Sequence, residues 1–116
     1  MKRTLGYILC YLLAFSFTGC QDRKDTAPIL KEAEALMYTR PDSALQMLET
    51  ISQSEQLTGK EQADYALLLS QARSRCRIIA TSDSLIRIAA DYYQHSNDHA
   101  RKAAAFLYLA DVYMDM

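Results

Sequence analysis

Between Cys20 and Met116 the chain holds one glycine, Gly59, and two prolines, Pro28 and Pro41, both placed where a helix would begin. A sheet assembled from hairpins needs more turn residues than that, because each tight reversal demands a positive or a fixed φ. The apolar residues recur instead at spacings of three and four, the period that gathers side chains on one side of a helix. Half of the 116 residues are apolar, which excludes intrinsic disorder. The formal net charge of −1 gives no field suited to nucleic acid, so no nucleic-acid partner is expected through this segment. The expected class is all-α, in one small domain.

Five helices are predicted. The first runs from about Pro28 to Tyr38, capped by Thr26 or Ala27, with Ile29, Ala33, Leu36 and Met37 on one face. The second starts at Pro41 and carries Ala44, Leu45, Leu48 and Ile51. After a polar stretch from Ser52 to Gln56, Thr58-Gly59-Lys60-Glu61 has the spacing of a capping box, in which a Thr hydroxyl and a Glu carboxylate satisfy two orphan amides. The third helix follows, with Tyr65, Leu68, Leu69, Ala72, Cys76 and Ile79 as a stripe about five turns long. The fourth follows Thr81-Ser82-Asp83-Ser84, any of which could cap, and is expected to face Leu85, Ile88, Ala89, Tyr92 and Tyr93 inward. A break at Ser96-Asn97 leads to the fifth, from about Asp98, with Ala103, Phe106, Leu107, Ala110, Tyr113 and Met114.

Helices separated by short polar turns suggest antiparallel hairpins, and the hairpins repeat faintly. Pro41-Asp42-Ser43-Ala44-Leu45-Gln46-Met47-Leu48 aligns with Ser82-Asp83-Ser84-Leu85-Ile86-Arg87-Ile88-Ala89, each an Asp-Ser helix start followed by apolar residues, 41 residues apart. Phe106-x-x-Leu109-Ala110-x-x-Tyr113 resembles the first-helix signature of a tetratricopeptide repeat, with Phe for the usual Trp and Ala for the usual Gly. Ala44 and Leu48 match the small-then-large pair of the second helix. The resemblance covers nearly all of residues 27–116 and implies hairpins stacked as a short α-solenoid. In it Ala44, Leu48, Tyr65, Leu68, Ala89, Tyr92, Phe106, Leu109, Ala110 and Tyr113 would pack between helices. The period departs from the usual 34 residues, and Leu69 stands where the family has a small residue.

The first twenty residues carry an address. Lys2 and Arg3 precede an uncharged, apolar run from Thr4 to Thr18, the layout of a secretory signal peptide and shorter than a membrane span of roughly 20 residues. Phe17-Thr18-Gly19-Cys20 resembles the lipobox of bacterial lipoproteins: small residues flank the scissile bond, and the Cys20 thiolate accepts the lipid. The resemblance implies a cleaved signal peptide over 1–19, a lipidated tether over 20–26 and a helical-hairpin array over 27–116, truncated in its third repeat. It implies export and lipid anchoring in the cell envelope, at the outer membrane rather than the inner, with no cofactor beyond the covalent lipid on Cys20. Loss of Lys2 and Arg3 leaves 11 basic against 14 acidic side chains. With Cys10 cleaved away and Cys20 capped, Cys76 is left as a single thiol, expected to pack as a small hydrophobe.

Other candidates for chemistry are weaker. His95 and His99 stand four apart, but Ser96-Asn97-Asp98 between them reads as a turn, so no metal site is expected. Arg73, Arg75, Arg77 and Arg87 form a basic cluster, with Arg73 and Arg77 on one helical face, expected to be solvated and acid-paired. Tyr92, Tyr93, Tyr108 and Tyr113 could line a groove or pack between hairpins. Gly59 alone builds no phosphate loop, and no nucleophile is paired with a histidine, so an enzyme is not expected. The composite expectation is a membrane-tethered scaffold for a protein or peptide. The alternatives are the sensory front of a longer signalling or transcriptional regulator, as in repeat-bearing regulators of gram-negative bacteria that the run from Ala63 to Met116 resembles, and a glycan-capture lipoprotein. Phe106, Leu109 and Tyr113 lack a partner helix, so either the array continues or another subunit or ligand covers them, and a homo-oligomer through the last helix is one such arrangement.

Overall fold

The computed structural model describes residues 26–51 and 54–116, and within them every regular element is helical. Helix α1 spans Thr26–Leu36, α2 Pro41–Glu49, α3 Gly59–Arg75, α4 Ser84–Tyr93 and α5 His99–Asp115, with one 3-10 turn at Ser54–Gln56. Residues 1–25, which hold the signal-peptide reading, Phe17, Thr18, Gly19 and Cys20, lie outside the described residues. Of the expected tether, only Thr26 is described, and it opens α1.

The helix ends follow from local chemistry. Arg40 precedes Pro41, whose ring disfavours the helical region for its neighbour, and Arg40 accordingly sits at φ −140°, ψ 71°. Pro41 then serves as the first residue of α2, where a missing amide costs nothing. Thr58 occupies the cap position of α3, but its hydroxyl makes no capping bond to the helix amides. The expected capping box is therefore not formed, and the chain turns into α3 through Gly59 at φ +59°. Asp98 does cap α5, its carboxylate accepting from the Arg101 amide at 3.1 Å.

The third helix is shorter than its apolar stripe. It stops at Arg75, because Arg77 takes φ +60° and two bonds close a Schellman motif: Ile78 N to Arg73 O at 2.9 Å and Arg77 N to Ser74 O at 3.0 Å. Glycine is the usual residue at that left-handed position, so an arginine there hid the stop. Cys76 consequently lies half-buried at the helix end rather than inside the core, and Ile79 is exposed on the loop beyond. Two aspartates of α5 hold this region: Asp111 accepts from Ser74 Oγ at 2.6 Å and Asp115 from Ala80 N at 3.1 Å.

Helix α3 is the axis of the molecule, packing against α1, α2, α4 and α5. Leu68, Leu69 and Ala72 belong to a core shared with Leu30, Ala33 and Met37 around α1, and with Ala44 and Leu48 of α2. Its other side, with Ala63, Ala66 and Leu67, belongs to a second core with Ile86, Ala89, Ala90 and Tyr93 of α4 and Ala105 of α5. A helix buried on two sides needs more apolar positions than a single stripe supplies, which is why Ala66-Leu67-Leu68-Leu69 runs unbroken. Seven fully buried alanines, at 33, 44, 63, 66, 72, 89 and 105, let the helix backbones approach closely.

Two inward faces differ from expectation. In α4 the buried stripe is Ile86, Ala89, Ala90 and Tyr93, while Ile88 and Tyr92 are exposed. In α5, Ala105 is buried and Ala104, Tyr108, Leu109 and Val112 pack against the second core, whereas Ala103, Phe106, Leu107, Ala110, Tyr113 and Met114 are exposed. Both helices are apolar on more than one side, so period alone did not select the face that meets α3.

A candidate binding groove on the α1, α3 and α5 side

A groove of about 690 Å³ opens along one side of the molecule. Its lining comes from Ala27, Leu30, Lys31 and Glu34 of α1, Met37 and Tyr38 just beyond it, Lys60, Glu61, Asp64, Leu67, Leu68 and Gln71 of α3, and Ala100, Arg101 and Ala104 of α5. Among the described lining residues none belongs to α2 or α4, which stand behind the groove. Leu30, Met37, Leu67 and Leu68 make an apolar floor, and the polar side chains stand around it.

Arg101 organises the polar part. Its Nε lies 3.3 Å from Asp64 Oδ1, its Nη1 donates to Asp98 Oδ2 at 3.1 Å, and its Nη2 donates to both oxygens of Glu34, at 3.3 and 3.2 Å. One guanidinium therefore ties α1 to α5 across α3, 67 residues apart in sequence. A planar fork with five donors can satisfy three carboxylates at once, which an ammonium held at one point cannot do with the same geometry.

Asp64 is the hub beneath it, only 14% exposed at the side chain. Besides Arg101 it accepts from Lys60, one turn earlier on α3, and from the hydroxyl of Tyr93 on α4. Tyr93 is buried, and its ring meets Tyr92 edge to face at 5.0 Å between centroids. Burial, reinforced by the Asp64 carboxylate beside it, pushes the Tyr93 hydroxyl well above the ordinary tyrosine range. The Arg101 amide and then its guanidinium pull Asp98 below the usual carboxylate range.

A second polar cluster lies at the junction of α4 and α5. Arg87 donates to Asp83 Oδ2 at 2.6 Å and to the hydroxyl of Tyr113, which in turn donates to Asp83 at 3.0 Å. The Arg87 hydrogen bond, followed by that of Tyr113, lowers the Asp83 carboxyl. Asp83 stands at the cap position of α4 but spends its carboxylate on these partners instead of the helix amides.

The sequence-predicted residues are distributed unevenly over this geometry. Ala44, Leu48, Leu68 and Ala89 are buried between helices, and Tyr65 and Leu109 pack at the edges of the two cores. Tyr92, Phe106, Ala110 and Tyr113 are exposed, although the Tyr113 hydroxyl reaches Arg87 and Asp83 at α4. None of Tyr92, Tyr93, Tyr108 and Tyr113 lines the groove, although Tyr93 supports it from beneath. The four arginines do not act as one cluster. Arg77 leaves the helix at φ +60° and so does not share a helical face with Arg73, Arg75 lies 4.7 Å from the ring centre of Tyr38, and Arg87 pairs with Asp83. His95 sits in the turn after α4 and His99 opens α5.

Sequence reading missed Glu34, Asp64, Asp98 and Arg101 as a unit. The spacings of Lys60 to Asp64 and Asp98 to Arg101 are ordinary helical pairings, and nothing local marks Glu34 as their neighbour. No family model, no curated protein and no solved structure matches the chain.

Proposed function

We propose that this protein is a lipid-anchored helical-repeat module of the tetratricopeptide type, whose groove holds a protein or peptide segment in the cell envelope. The observation that carries the reading is that the described lining of the groove comes from α1 and the turn after it, α3 and α5, with α2 and α4 contributing none of it. Stacked hairpins whose first helices all face one side produce such a concave surface. The 41-residue correspondence between the starts of α2 and α4 supports it, as does the pairing of α1 with α3 and of α3 with α5. The apolar floor would take apolar side chains of the partner, while Lys31, Glu34, Glu61 and Gln71 meet its backbone and polar groups. The acids nearest the floor are engaged by Arg101, which suits a binding surface rather than proton transfer.

Lipid attachment at Cys20 would keep this surface at the membrane. Palmitate labelling in growing cells should mark the native chain and disappear in Cys20→Ala; labelling that persists in the variant, or never occurs, overturns the anchor. A photo-crosslinking residue at Gln71, inside the groove, should yield a discrete adduct that the same residue at Ile88, on the outer side of α4, does not. Equal adducts from both positions, or none from Gln71, overturn the groove as the binding surface.

A further inference from the structure

We propose that the exposed face of α5 is the interface of a two-fold symmetric dimer, and that its occupant is a second copy of this chain packed antiparallel on the same helix. This goes beyond the groove and is independent of it, since Phe106, Leu107, Tyr113 and Met114 lie outside the groove lining. These four side chains are 42, 66, 47 and 78% exposed, and Ala103 and Ala110 lie exposed between them. Tyr113 keeps its hydroxyl on Arg87 and Asp83, so its ring is held in place with an apolar flank to solvent.

The order of sizes along the face is what selects a second copy. Positions 103, 106, 110 and 113 follow the three-four-three spacing of a helix-pairing seam and read small, large, small, large. Turned about a two-fold axis at Tyr108, the face meets itself with Phe106 opposite Ala110 and Ala103 opposite Tyr113 of the second copy. Each bulky ring then lands over a methyl group, the interdigitation that close packing requires.

With all of their exposed surface covered, about 600 Å² per copy, these residues would remove at most about 1,200 Å² in total, the lower edge of stable specific interfaces.

Sedimentation equilibrium of the full chain in density-matched detergent tests the proposal, with circular dichroism to confirm that each variant stays helical. Phe106→Ala leaves alanine opposite alanine, and Ala110→Phe sets phenylalanine against phenylalanine. Each is expected to weaken dimerisation at least about tenfold, as for a central interface anchor. The double variant Phe106→Ala with Ala110→Phe exchanges the two sizes, restores the match across the axis and should recover the affinity to within about threefold. A chain that stays monomeric up to about 100 µM overturns the proposal. So does a dimer indifferent to the single changes, or one weakened by both and not rescued by the exchange, since those point to another surface or another partner.

Discussion

Removal of a single oxygen, in Tyr93→Phe, tests whether the hub beneath the groove holds the two halves of the molecule together. Tyr93 is only 1% exposed, so the smaller ring keeps the same packing and the change isolates the hydroxyl. That hydroxyl donates to Asp64, whose side chain is 14% exposed and also receives Lys60 and Arg101. A hydrogen bond to a charged acceptor contributes about 1.5–3 kcal/mol. Because Asp64 keeps two cationic partners in the variant, the lower end applies, about 1.5 kcal/mol, or a Tm lower by about 6–12 °C for a domain of this size.

Burial of the same hydroxyl, reinforced by its bond to Asp64, sets a pH dependence with a definite sign. Tyrosine ordinarily ionises near pH 10.0, and burial beside Asp64 raises the folded-state value of Tyr93. Its contribution is complete below pH 10.0, where both states are protonated, and is lost as pH rises above it, because the unfolded chain alone releases the proton. Each pH unit in that window favours unfolding by about tenfold. Urea unfolding followed by circular dichroism, at pH 7 and in steps upward from pH 10, reads both effects. Tyr93→Phe should be less stable at neutral pH and should lose this alkaline slope. Unchanged neutral stability, or an alkaline slope that survives in the variant, refutes the argument.

Two further perturbations address the core and the entrance to α3. Leu48 is fully buried between α2 and its neighbours, so Leu48→Ala should cost about 2–5 kcal/mol in chemical denaturation; a loss below about 1 kcal/mol would mean that the site collapses around the cavity. At Gly59 an added Cβ meets nothing within 4 Å, so only the backbone angle of φ +59° opposes a side chain. Gly59→Ala should therefore cost about 1 kcal/mol in thermal melts, and Gly59→Asn less, since asparagine tolerates the left-handed region; equal costs for the two would place the penalty elsewhere.

The helical class was legible because it depends on local quantities: the three-four spacing, one glycine after Cys20, and two prolines at helix starts. The break at Pro41 and the cap at Asp98 were readable for the same reason, each being set by a few adjacent atoms. Local signals also misled where an unusual residue took a common role. Arg77 occupies the left-handed position of a Schellman turn, and α3 ends four residues before its apolar stripe does. Thr58 and Glu61 have the spacing of a capping box without forming one.

Tertiary structure decided the rest, because it decides between faces that are locally equivalent. On α5, Phe106 and Tyr108 are both aromatic and both in helical register, yet only Tyr108 packs against the second core. On α4, Ile86 is buried and Ile88 is not. The choice follows from where α3 runs, with its small residues Ala63 and Ala66, and period along a single helix carries no information about that. The groove is non-local in the same sense. Arg101 finds Glu34 across 67 residues only after α1, α3 and α5 lie side by side, since a guanidinium pairs with whichever carboxylates the packed backbone brings within reach.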